Sequence, residues 1–336
     1  MSNRPKVSVV CLAYNQEKYI RQALDGFVMQ KTNFPFEVVI HDDASTDQTA
    51  QIIKEYQQKY PHLIRPIFQT KNQFSLGKNI LVDFMLDHIH GQYVAMNEGD
   101  DYWTDENKLQ RQVDFLEAHP DYNICFHPVR VVWEDNSEPE SIFPTPQFRF
   151  HKATLTLDDL LKHNFIQTNS VMYRWKLTAQ NWPRKDFLPW DYMWSLIHAK
   201  DGKIGFLPYV MAVYRRNAGG IWTGSGQSEE WFLKRGLQYM RFYQVLQEVF
   251  SVDSQKNILT IGKRLISVAL KHRRRDILET LSREFKDQWA ALSENQAEKV
   301  WDKKRRSLKR KVKILQFVAG GLFLIVLLLL IKGGFE

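Results

Sequence analysis

Short apolar runs alternate with helical patterns along the first half of the chain. Two continuous runs that are rich in β-branched residues, 7–14 (VSVVCLAY) and 36–40 (FEVVI), are typical of strands buried on both faces. The runs 64–69 and 92–97 are similar, and the segments between the runs have apolar residues at helical spacing. This alternation predicts right-handed βαβ units and an α/β fold with a doubly wound, mainly parallel sheet.

Patterns of the same kinds continue along the rest of the chain. The acidic, proline-containing segment 134–147 is predicted to be a loop, and amphipathic helices are expected from Glu229 to about Glu298. The other predicted helices are 19–29, 45–60, 77–90, 106–119, 157–163 and 191–199, and the other predicted strands are 124–132, 168–173 and 204–214.

Polar residues directly follow three of the predicted strands. These clusters are Tyr14-Asn15, Asp42-Asp43 and Asp100-Asp101. Ligands of open α/β sheets bind beyond the carboxyl ends of the strands. We therefore expect the three clusters to converge on one ligand-binding edge.

The adjacent carboxylates of Asp100 and Asp101 are candidates for a metal site. Two neighbouring carboxylates repel each other and raise each other's pKa unless a cation or strong donors compensate. A hard divalent ion that is chelated together with substrate phosphates would supply this compensation. A simple Gly-Asp turn is the alternative here, and a turn is equally open for Asp42-Asp43.

Two common nucleotide-binding motifs are absent from the sequence. The first predicted strand ends in Ala13-Tyr14-Asn15-Gln16 rather than in GxGxxG, and no GxxxxGK[ST] occurs anywhere. Dinucleotide-binding and P-loop chemistry are therefore disfavoured.

Three segments together resemble one known family. VSVVCLAYNQEKYI, EVVIHDDASTDQT and YVAMNEGDDYW, in this order and spacing, closely resemble the nucleotide-sugar-binding core of family 2 glycosyltransferases of the GT-A fold. The resemblance covers roughly Lys6 to Arg216. It implies transfer of a sugar from a nucleotide-diphosphate donor, usually a UDP-sugar, to an acceptor hydroxyl with inversion.

The resemblance also implies roles for individual residues. The end of the first strand would hold the nucleotide, Asp43 would contact the base, and Asp100 and Asp101 would hold Mg²⁺ or Mn²⁺, with Asp101 the more direct ligand. His41 departs from the family, which often has a small or aliphatic residue there, and this leaves the base open. The implied donor-binding residues are Ala13, Tyr14, Asn15, Asp42, Asp43, Asn72, Lys78, Asp100 and Arg215, with Gly77 in the loop between Asn72 and Lys78.

The general base of the family is often an acidic residue beside an aromatic one. Trp190-Asp191-Tyr192 is the best match, and Asp186 and then Asp201 are the alternatives. The Gln-x-x-Arg-Trp segment of processive members is absent, whereas Tyr214-Arg215-Arg216 resembles the Tyr-Arg-x-His ending of non-processive members, with Asn217 in place of His. A single transfer per acceptor is therefore expected. Either arginine is a candidate for binding diphosphate, and a surface ion pair is the alternative.

Four tryptophans are further candidates for contact with sugar rings. They are Trp182, Trp190, Trp194 and Trp222. Core or rim packing is the alternative for each of them.

The net charge of +8 equals the charge of one short segment. Residues 303–313 contain eight basic and no acidic residues, so a general nucleic-acid-binding surface is not expected. The apolar run 314–331 follows directly and would form a helix about 27 Å long, enough to span a membrane. A buried core helix is the alternative. The positive-inside rule places 303–313 in the cytoplasm, beside anionic lipid, and the catalytic domain with it.

These observations predict four segments and a cellular location. The segments are a GT-A catalytic domain at 1–225, a helical region at 226–302, a basic juxtamembrane segment at 303–313 and a transmembrane helix at 314–331. Two cysteines in apolar runs fit a reducing compartment, and the first strand begins too early for a signal peptide. We expect a single-pass membrane protein whose acceptor is a lipid-linked saccharide or cell-surface glycan precursor. A sugar nucleotidyltransferase and a non-catalytic nucleotide-sugar-binding module are the alternatives.

Overall fold

The computed structural model describes residues 4–145, 154–217 and 228–292. Contacts divide the chain into two compact units, Met1–Ser225 and Gly226–Glu336. The predicted basic segment 303–313 and transmembrane helix 314–331 lie outside the described residues. Within the described ranges, no helix is both long and apolar enough to cross a membrane.

The first unit contains a seven-stranded sheet between helices. Its spatial order is β10-β6-β9-β4-β1-β2-β3. The strands are β1 (Val7–Ala13), β2 (Phe36–Asp42), β3 (Ile64–Phe68), β4 (Tyr93–Glu98), β6 (Tyr122–Phe126), β9 (Met172–Arg174) and β10 (Lys203–Phe206). The helices of this unit are α1 (Ile20–Val28), α2 (Thr49–Lys59), α3 (Lys108–Ala118), α4 (Leu157–Lys162) and α5 (Trp190–Ala199).

The predicted α/β class and mainly parallel sheet are confirmed, and a single reversed strand, β9, makes the sheet mixed. The pairs β1–β2, β1–β4, β2–β3 and β6–β10 are parallel, whereas β9 runs antiparallel to β4 and β6. Met172 of β9 is opposite Ala95 on one side and Cys125 on the other. This strand has three residues and follows a short 3₁₀ turn, Thr168–Ser170, so its apolar residues do not disclose its direction.

A second sheet was not predicted. It has the order β5-β11-β7-β8, from β5 (Tyr102–Trp103), β7 (Val129–Trp133), β8 (Ser141–Phe143) and β11 (Ala212–Arg216). The predicted strands 124–132 and 204–214 are each two strands that belong to different sheets, and β8 lies in the predicted loop. Pro128 and Pro208 lie at the two breaks, because proline cannot donate a hydrogen bond to a neighbouring strand.

The predicted helix 77–90 is also wrong. A 3₁₀ turn (Phe74–Leu76), a π turn (Leu81–Met85) and a second 3₁₀ turn (Leu86–His88) occupy this part of the chain. Gly77 has a φ of +74°, which ends the first turn, and the backbone N–H of Asn79 donates to the Asp83 carboxylate. These contacts replace a regular helical hydrogen-bond pattern.

The core of the first unit lies where the helices cover the sheet. Val9 and Cys11 of β1 and Val38 and Ile40 of β2 are fully buried against Leu24 of α1. Burial on both faces of β1 and β2 agrees with their continuous apolar sequences.

The second unit contains the predicted amphipathic helices. They are α6 (Glu229–Phe250), α7 (Gln255–Lys271) and α8 (Arg275–Glu284). Their apolar faces form a separate core that includes Met240, Ile258, Leu265 and Leu281. The helical spacing in the sequence therefore reflects packing within this unit.

Candidate active site

The polar clusters converge at the carboxyl edge of the large sheet. In the register of the parallel strands, Ala13 is opposite Asp42, and Leu12 is opposite Glu98. The loop that carries Asp100 and Asp101 starts directly after Glu98, at the end of β4. The structure therefore brings these three segments to one edge, as the doubly wound topology requires.

Asp101 is buried and keeps one carboxylate oxygen without a partner. Its residue exposure is 1%, and its Oδ1 accepts a 2.8 Å hydrogen bond from the Arg215 backbone N–H. Its Oδ2 is buried and has no hydrogen-bond partner among the described residues. Burial, and then Asp100 and Glu98, hold the pKa of Asp101 well above its usual range.

Asp100 is held by two side chains from the end of β11. Its Oδ2 accepts a 2.8 Å hydrogen bond from Asn217 Nδ2, and its backbone carbonyl accepts one from the Arg215 guanidinium. Burial raises the pKa of Asp100, while the hydrogen bond from Asn217 opposes this rise. Asn217, which stands where the family has His, is therefore part of this acidic loop.

Glu98 is a member of the site that the sequence analysis did not select. Burial, then the charges of Asp100 and Asp191, raise its pKa to about 8. The signal was present in the sequence, because Glu98 stands two positions before Asp100 in Glu98-Gly99-Asp100-Asp101. Three carboxyl groups thus lie together at the end of one strand.

The acidic loop fits a divalent ion that is completed by substrate. No group of three or more His, Cys, Asp or Glu with metal-binding geometry occurs in the described residues. Mg²⁺ commonly takes only one or two protein carboxylates and completes its shell with phosphate and water. The unpaired Oδ2 of Asp101, with Asp100 beside it, meets that smaller requirement.

Arg215 is engaged within the protein. Besides the Asp100 carbonyl, its guanidinium contacts Gln22 Oε1 at 2.6 Å and lies 4.7 Å and 5.0 Å from the ring centroids of Tyr19 and Tyr102. These contacts fix the acidic loop to β11 and α1. The predicted contact between Arg215 and the donor stays a prediction.

The carboxylates at the end of β2 organise two loops. Asp43 accepts hydrogen bonds from the backbone N–H groups of Gln73 (2.7 Å) and Phe74 (3.0 Å). Asp42 Oδ2 accepts one from the Ser45 N–H at 3.2 Å, and its Oδ1 is buried without a partner among the described residues. Burial raises the pKa of Asp42. Asp43 thus also holds the loop that contains Asn72.

The end of β1 lies beside the end of β2 at the same edge of the sheet. The Ala13 carbonyl accepts the Asp43 N–H at 3.0 Å, and Tyr14 is 44% exposed. Asn15 has a φ of +51°, and its Oδ1 accepts the Thr46 N–H at 2.8 Å. Ala13 and Asn15 therefore link β1 to the segment after β2, while the ring of Tyr14 is open to a ligand.

The loop between β3 and the π turn carries the other predicted donor contacts. Asn72 Oδ1 accepts the Ser75 N–H at 2.7 Å, so it caps a turn, and Lys78 is exposed. His41 is buried, its ring centroid lies 5.8 Å from that of Phe84, and burial lowers its pKa to about 4. His41 is therefore a neutral interior side chain near pH 7.

Asp191 lies in the first turn of α5, and its charge affects the pKa of Glu98. Its Oδ2 accepts a 3.2 Å hydrogen bond from the Thr168 hydroxyl. Burial raises its pKa, and the Tyr192 backbone N–H and the Thr168 hydroxyl oppose this rise. The charge of Asp191 in turn raises the pKa of Glu98. Asp191, far from Asp100 in sequence, thus lies within electrostatic range of Glu98.

Comparison with known proteins decides the family. The model of glycosyl transferase family 2 matches residues 8–218, which is more than half of the chain. The chain belongs to glycosyl transferase family 2. The resemblance seen in the sequence is confirmed.

Individual relatives are similar over part of their length. An uncharacterized protein of Mycobacterium tuberculosis is 49% identical over 216 residues, or 64% of this chain, and the match spans 60% of that relative. S. aureus TarS in complex with UDP-GlcNAc has a TM-score of 0.53 and 23% identity, over 85% of this chain and 79% of that chain. A Pyrobaculum calidifontis mannosyltransferase in complex with GDP-Man and Mn²⁺ has a TM-score of 0.52 and 18% identity, over 90% and 89%. The two structures establish a GT-A-like fold.

The other candidate residues differ in burial. Trp182 stacks on Phe187 with centroids 5.3 Å apart, and Trp194 is 2% exposed, so both pack in the interior. Trp190 is half-buried, and its ring centroid lies 5.4 Å from that of Phe74. Asp186 and Asp201 are exposed, and Trp222 lies outside the described residues. Trp190 therefore connects the Asp43-bound loop with α5.

Proposed function

We propose that this glycosyltransferase moves a sugar from a nucleotide-diphosphate donor, a UDP-sugar, to an acceptor hydroxyl with inversion, with Asp191 as the general base. The observation that carries this proposal is the position of Asp191, a half-buried carboxyl group within electrostatic range of Glu98 at the acidic loop. A general base must lie beside the reacting centre, and its pKa is best raised toward the working pH.

The chemistry of the base is a single proton transfer coupled to displacement. The acceptor oxygen forms a bond to the anomeric carbon, the bond from that carbon to the donor phosphate oxygen breaks, and the hydroxyl proton passes to the Asp191 carboxylate. Burial raises the pKa of this carboxyl group, which strengthens it as a base. The hydrogen bond from the Thr168 hydroxyl to Oδ2 would hold the carboxylate in place for the acceptor.

The donor site is supported by the shape of the sheet edge and by the structural neighbours. Those neighbours hold UDP-GlcNAc and GDP-Man respectively, so both bases belong in the test. The open ring of Tyr14 and the carboxylate of Asp43 would hold the nucleoside. Asn15, Asp42, Asn72 and Lys78 would complete this side of the pocket.

We propose Mg²⁺ or Mn²⁺ as the cofactor. Asp101 through its unpaired Oδ2, and Asp100 beside it, would hold the ion, and the Pyrobaculum neighbour contains Mn²⁺. When bound, the ion would neutralise charge on the departing diphosphate. Arg215 and Asn217 keep the two carboxylates in place in its absence.

The acceptor and the location are proposed from the C-terminal sequence. The run 314–331 and the basic segment 303–313 support a single-pass anchor with the catalytic unit on the cytoplasmic face, near anionic lipid. An active site held near the bilayer favours a lipid-linked saccharide or glycan precursor. A chain that ends before Lys303 should lose membrane association in fractionation and still bind the donor. Full-length protein in the soluble fraction without detergent would contradict the anchor.

The decisive experiment compares Asp191→Asn with Asp186→Asn in the full chain. Asn keeps the shape of the side chain and can still accept the Thr168 hydrogen bond, but it cannot take the proton. Donor binding should stay near wild type in Asp191→Asn while transfer falls about 10²-fold or more, and Asp186→Asn should transfer normally. The reverse pattern would assign the base to Asp186.

Two other outcomes would replace the proposal. Pyrophosphate release from a nucleoside triphosphate without sugar transfer would indicate a nucleotidyltransferase. Donor binding by the wild type without transfer to any acceptor in a glycolipid screen would indicate a binding module.

A further inference from the structure

Two neighbouring arginines at the end of β11 have opposite surroundings. Arg215 donates three hydrogen bonds, one from its backbone and two from its guanidinium. Arg216 is partly buried, and its Nε is fully buried without a hydrogen-bond partner. No hydrogen bond or ion pair joins the Arg216 guanidinium to the residues of 4–145, 154–217 and 228–292.

Aromatic rings hold the Arg216 side chain. Its guanidinium carbon lies 5.3 Å from the ring centroid of Trp133 and 5.3 Å from that of Tyr214. Trp133 is opposite Arg216 in the register of β7 and β11. Cation–π contacts of this kind stabilise the charge and fix its position, but they leave the N–H donors unpaired.

An unpaired guanidinium in a partly buried position is costly unless something else satisfies it. Five N–H donors in a planar fork match phosphate and carboxylate oxygens, which accept two parallel hydrogen bonds. A buried polar atom without a partner therefore requires an explanation, and a bound ligand is one. The two rings preorganise the cation, which lowers the cost of ordering it on binding.

Arg216 lies beside the acidic loop without being neutralised by it. It stands between Arg215, whose backbone N–H donates to Asp101 Oδ1, and Asn217, whose side chain donates to Asp100 Oδ2. No carboxylate of the loop forms an ion pair with Arg216 in the described ranges. The positive charge therefore remains available next to the proposed site of transfer.

We propose that Arg216 is an oxyanion-binding residue that takes a phosphate group of a substrate through its guanidinium fork. The identity of this substrate rests on the proposed function. The phosphate is either the diphosphate of the donor or a phosphate carried by the acceptor, and the chemistry is the same for both. Arg215, by contrast, fixes the acidic loop.

The first experiment measures binding of Mg²⁺–pyrophosphate to the full chain by titration calorimetry. Arg216→Gln removes the charge, Arg216→Lys keeps the charge without the fork, and Arg130→Gln is the control, an exposed arginine on β7 of the same sheet. Affinity should fall about 10-fold to 100-fold in Arg216→Gln, less in Arg216→Lys, and not at all in Arg130→Gln. Melting temperatures near wild type would show that the variants are folded.

The second experiment separates the two sources of phosphate. If the donor is the source, Arg216→Gln should bind UDP or GDP at least 10-fold more weakly and the matching nucleoside within about twofold of wild type. If the acceptor is the source, nucleoside diphosphate binding should be unchanged. In that case glycerol 3-phosphate, but not glycerol, should bind to the UDP-saturated wild type and fail to bind to Arg216→Gln.

Equal affinity of wild type and Arg216→Gln for pyrophosphate, nucleoside diphosphate and glycerol 3-phosphate would overturn the inference and leave Arg216 as a packing residue of Trp133. No binding of any of these probes by the wild type would overturn it as well. Failure of the proposed function can be told apart from failure of this inference. A wild type that binds phosphate through Arg216 but does not bind a nucleoside diphosphate would refute the proposed donor and leave the role of Arg216 intact.

Discussion

The hydrogen bond from Thr168 to Asp191 should set the pH at which the enzyme becomes active. The Thr168 hydroxyl donates to Asp191 Oδ2 at 3.2 Å. Only the ionised carboxylate can act as a base, and a donor to the ionised form lowers its pKa. Burial raises the pKa of Asp191, so Thr168 opposes the larger effect. Replacing Thr168 by Val removes the hydroxyl and keeps the branched shape.

The expected size follows from the strength of one charge-assisted hydrogen bond. Such bonds contribute about 1.5 kcal/mol at the weak end of their range, and 3.2 Å is long, so a shift of about one pKa unit is expected. The sign is upward, because the ionised form loses a donor. The acidic limb of the pH profile of kcat/KM should therefore move to higher pH by about one unit. At pH values well below this limb kcat/KM should fall about tenfold, while its plateau at higher pH is retained.

The turn that carries Thr168 should keep its place in this variant. Trp103 Nε1 donates to the Asn169 carbonyl at 3.1 Å, and Gln112 Nε2 donates to the Ser170 carbonyl at 2.9 Å. Asn169 Nδ2 donates in turn to the Val213 carbonyl at 2.8 Å. These three bonds hold the turn from β5, α3 and β11, and none of them involves the Thr168 hydroxyl.

The assay is a pH–rate profile of transfer for wild type, Thr168→Val and Thr168→Ser. Serine keeps the hydroxyl, so its profile should stay close to wild type, whereas a merely structural role would affect both variants through lost packing. A Thr168→Val profile with the wild-type limb and a uniformly lower plateau would refute the reasoning.

Two further predictions concern stability. Lys108 is buried with Nζ 4.1 Å from the Trp103 ring centroid, and burial lowers its pKa from 10.5 to about 7. Between pH 7 and 10 the unfolded chain therefore binds more protons than the folded chain. The free energy of unfolding should rise with pH in this range, by up to about 1.4 kcal/mol per pH unit. Lys108→Met should lose this dependence on pH in urea titrations. A Cβ at Gly91 would lie 2.4 Å from the Ser8 nitrogen, whereas one at Gly77, where φ is +74°, meets nothing within 4 Å. Gly91→Ala should cost about 3 kcal/mol or more and Gly77→Ala about 1 kcal/mol, and equal melting temperatures would contradict this difference.

Much of the first unit up to β4 was predictable from the local sequence pattern. The strands β1, β2 and β4 are apolar on both faces because helices or other elements cover each side, so their sequences carry a continuous signal. The polar residues that follow them had to meet, since parallel neighbours end at one edge. The pairs Asp42-Asp43 and Asp100-Asp101 could be selected for this reason.

The part of the first unit after β4 was less predictable, because its strands are short and their partner strands are distant in the sequence. Nothing in the three residues of β9 specifies that Met172 pairs in antiparallel direction with both Ala95 and Cys125. Glu98 was missed because it stands alone after the predicted strand 92–97, whereas Asp100 and Asp101 are adjacent and were selected as a carboxylate pair. The Arg215 guanidinium contacts the ring of Tyr19, which lies near the other end of the unit in the sequence, and no local sequence pattern predicts such a contact.

The unpredicted second sheet is what positions the acidic loop. Three hydrogen bonds hold Asp100 and Asp101 from residues 215 and 217, at the end of β11 and directly after it, in addition to the one that Asn97 Nδ2 of β4 donates to the Asp101 carbonyl. β11 reaches this place because the chain breaks after β10 and pairs with β5 and β7 instead of continuing in the large sheet. The breaks at Pro128 and Pro208 cannot be read from hydrophobic periodicity. Because of them, residues at the end of the second sheet hold Asp100 and Asp101, whereas Asp43 follows β2 of the large sheet. Relative motion of the two sheets would change the distance between the Asp43 carboxylate and the acidic loop. The proposed donor site therefore depends on how β11 packs, and Arg215 is the residue that joins β11 to the acidic loop and to α1.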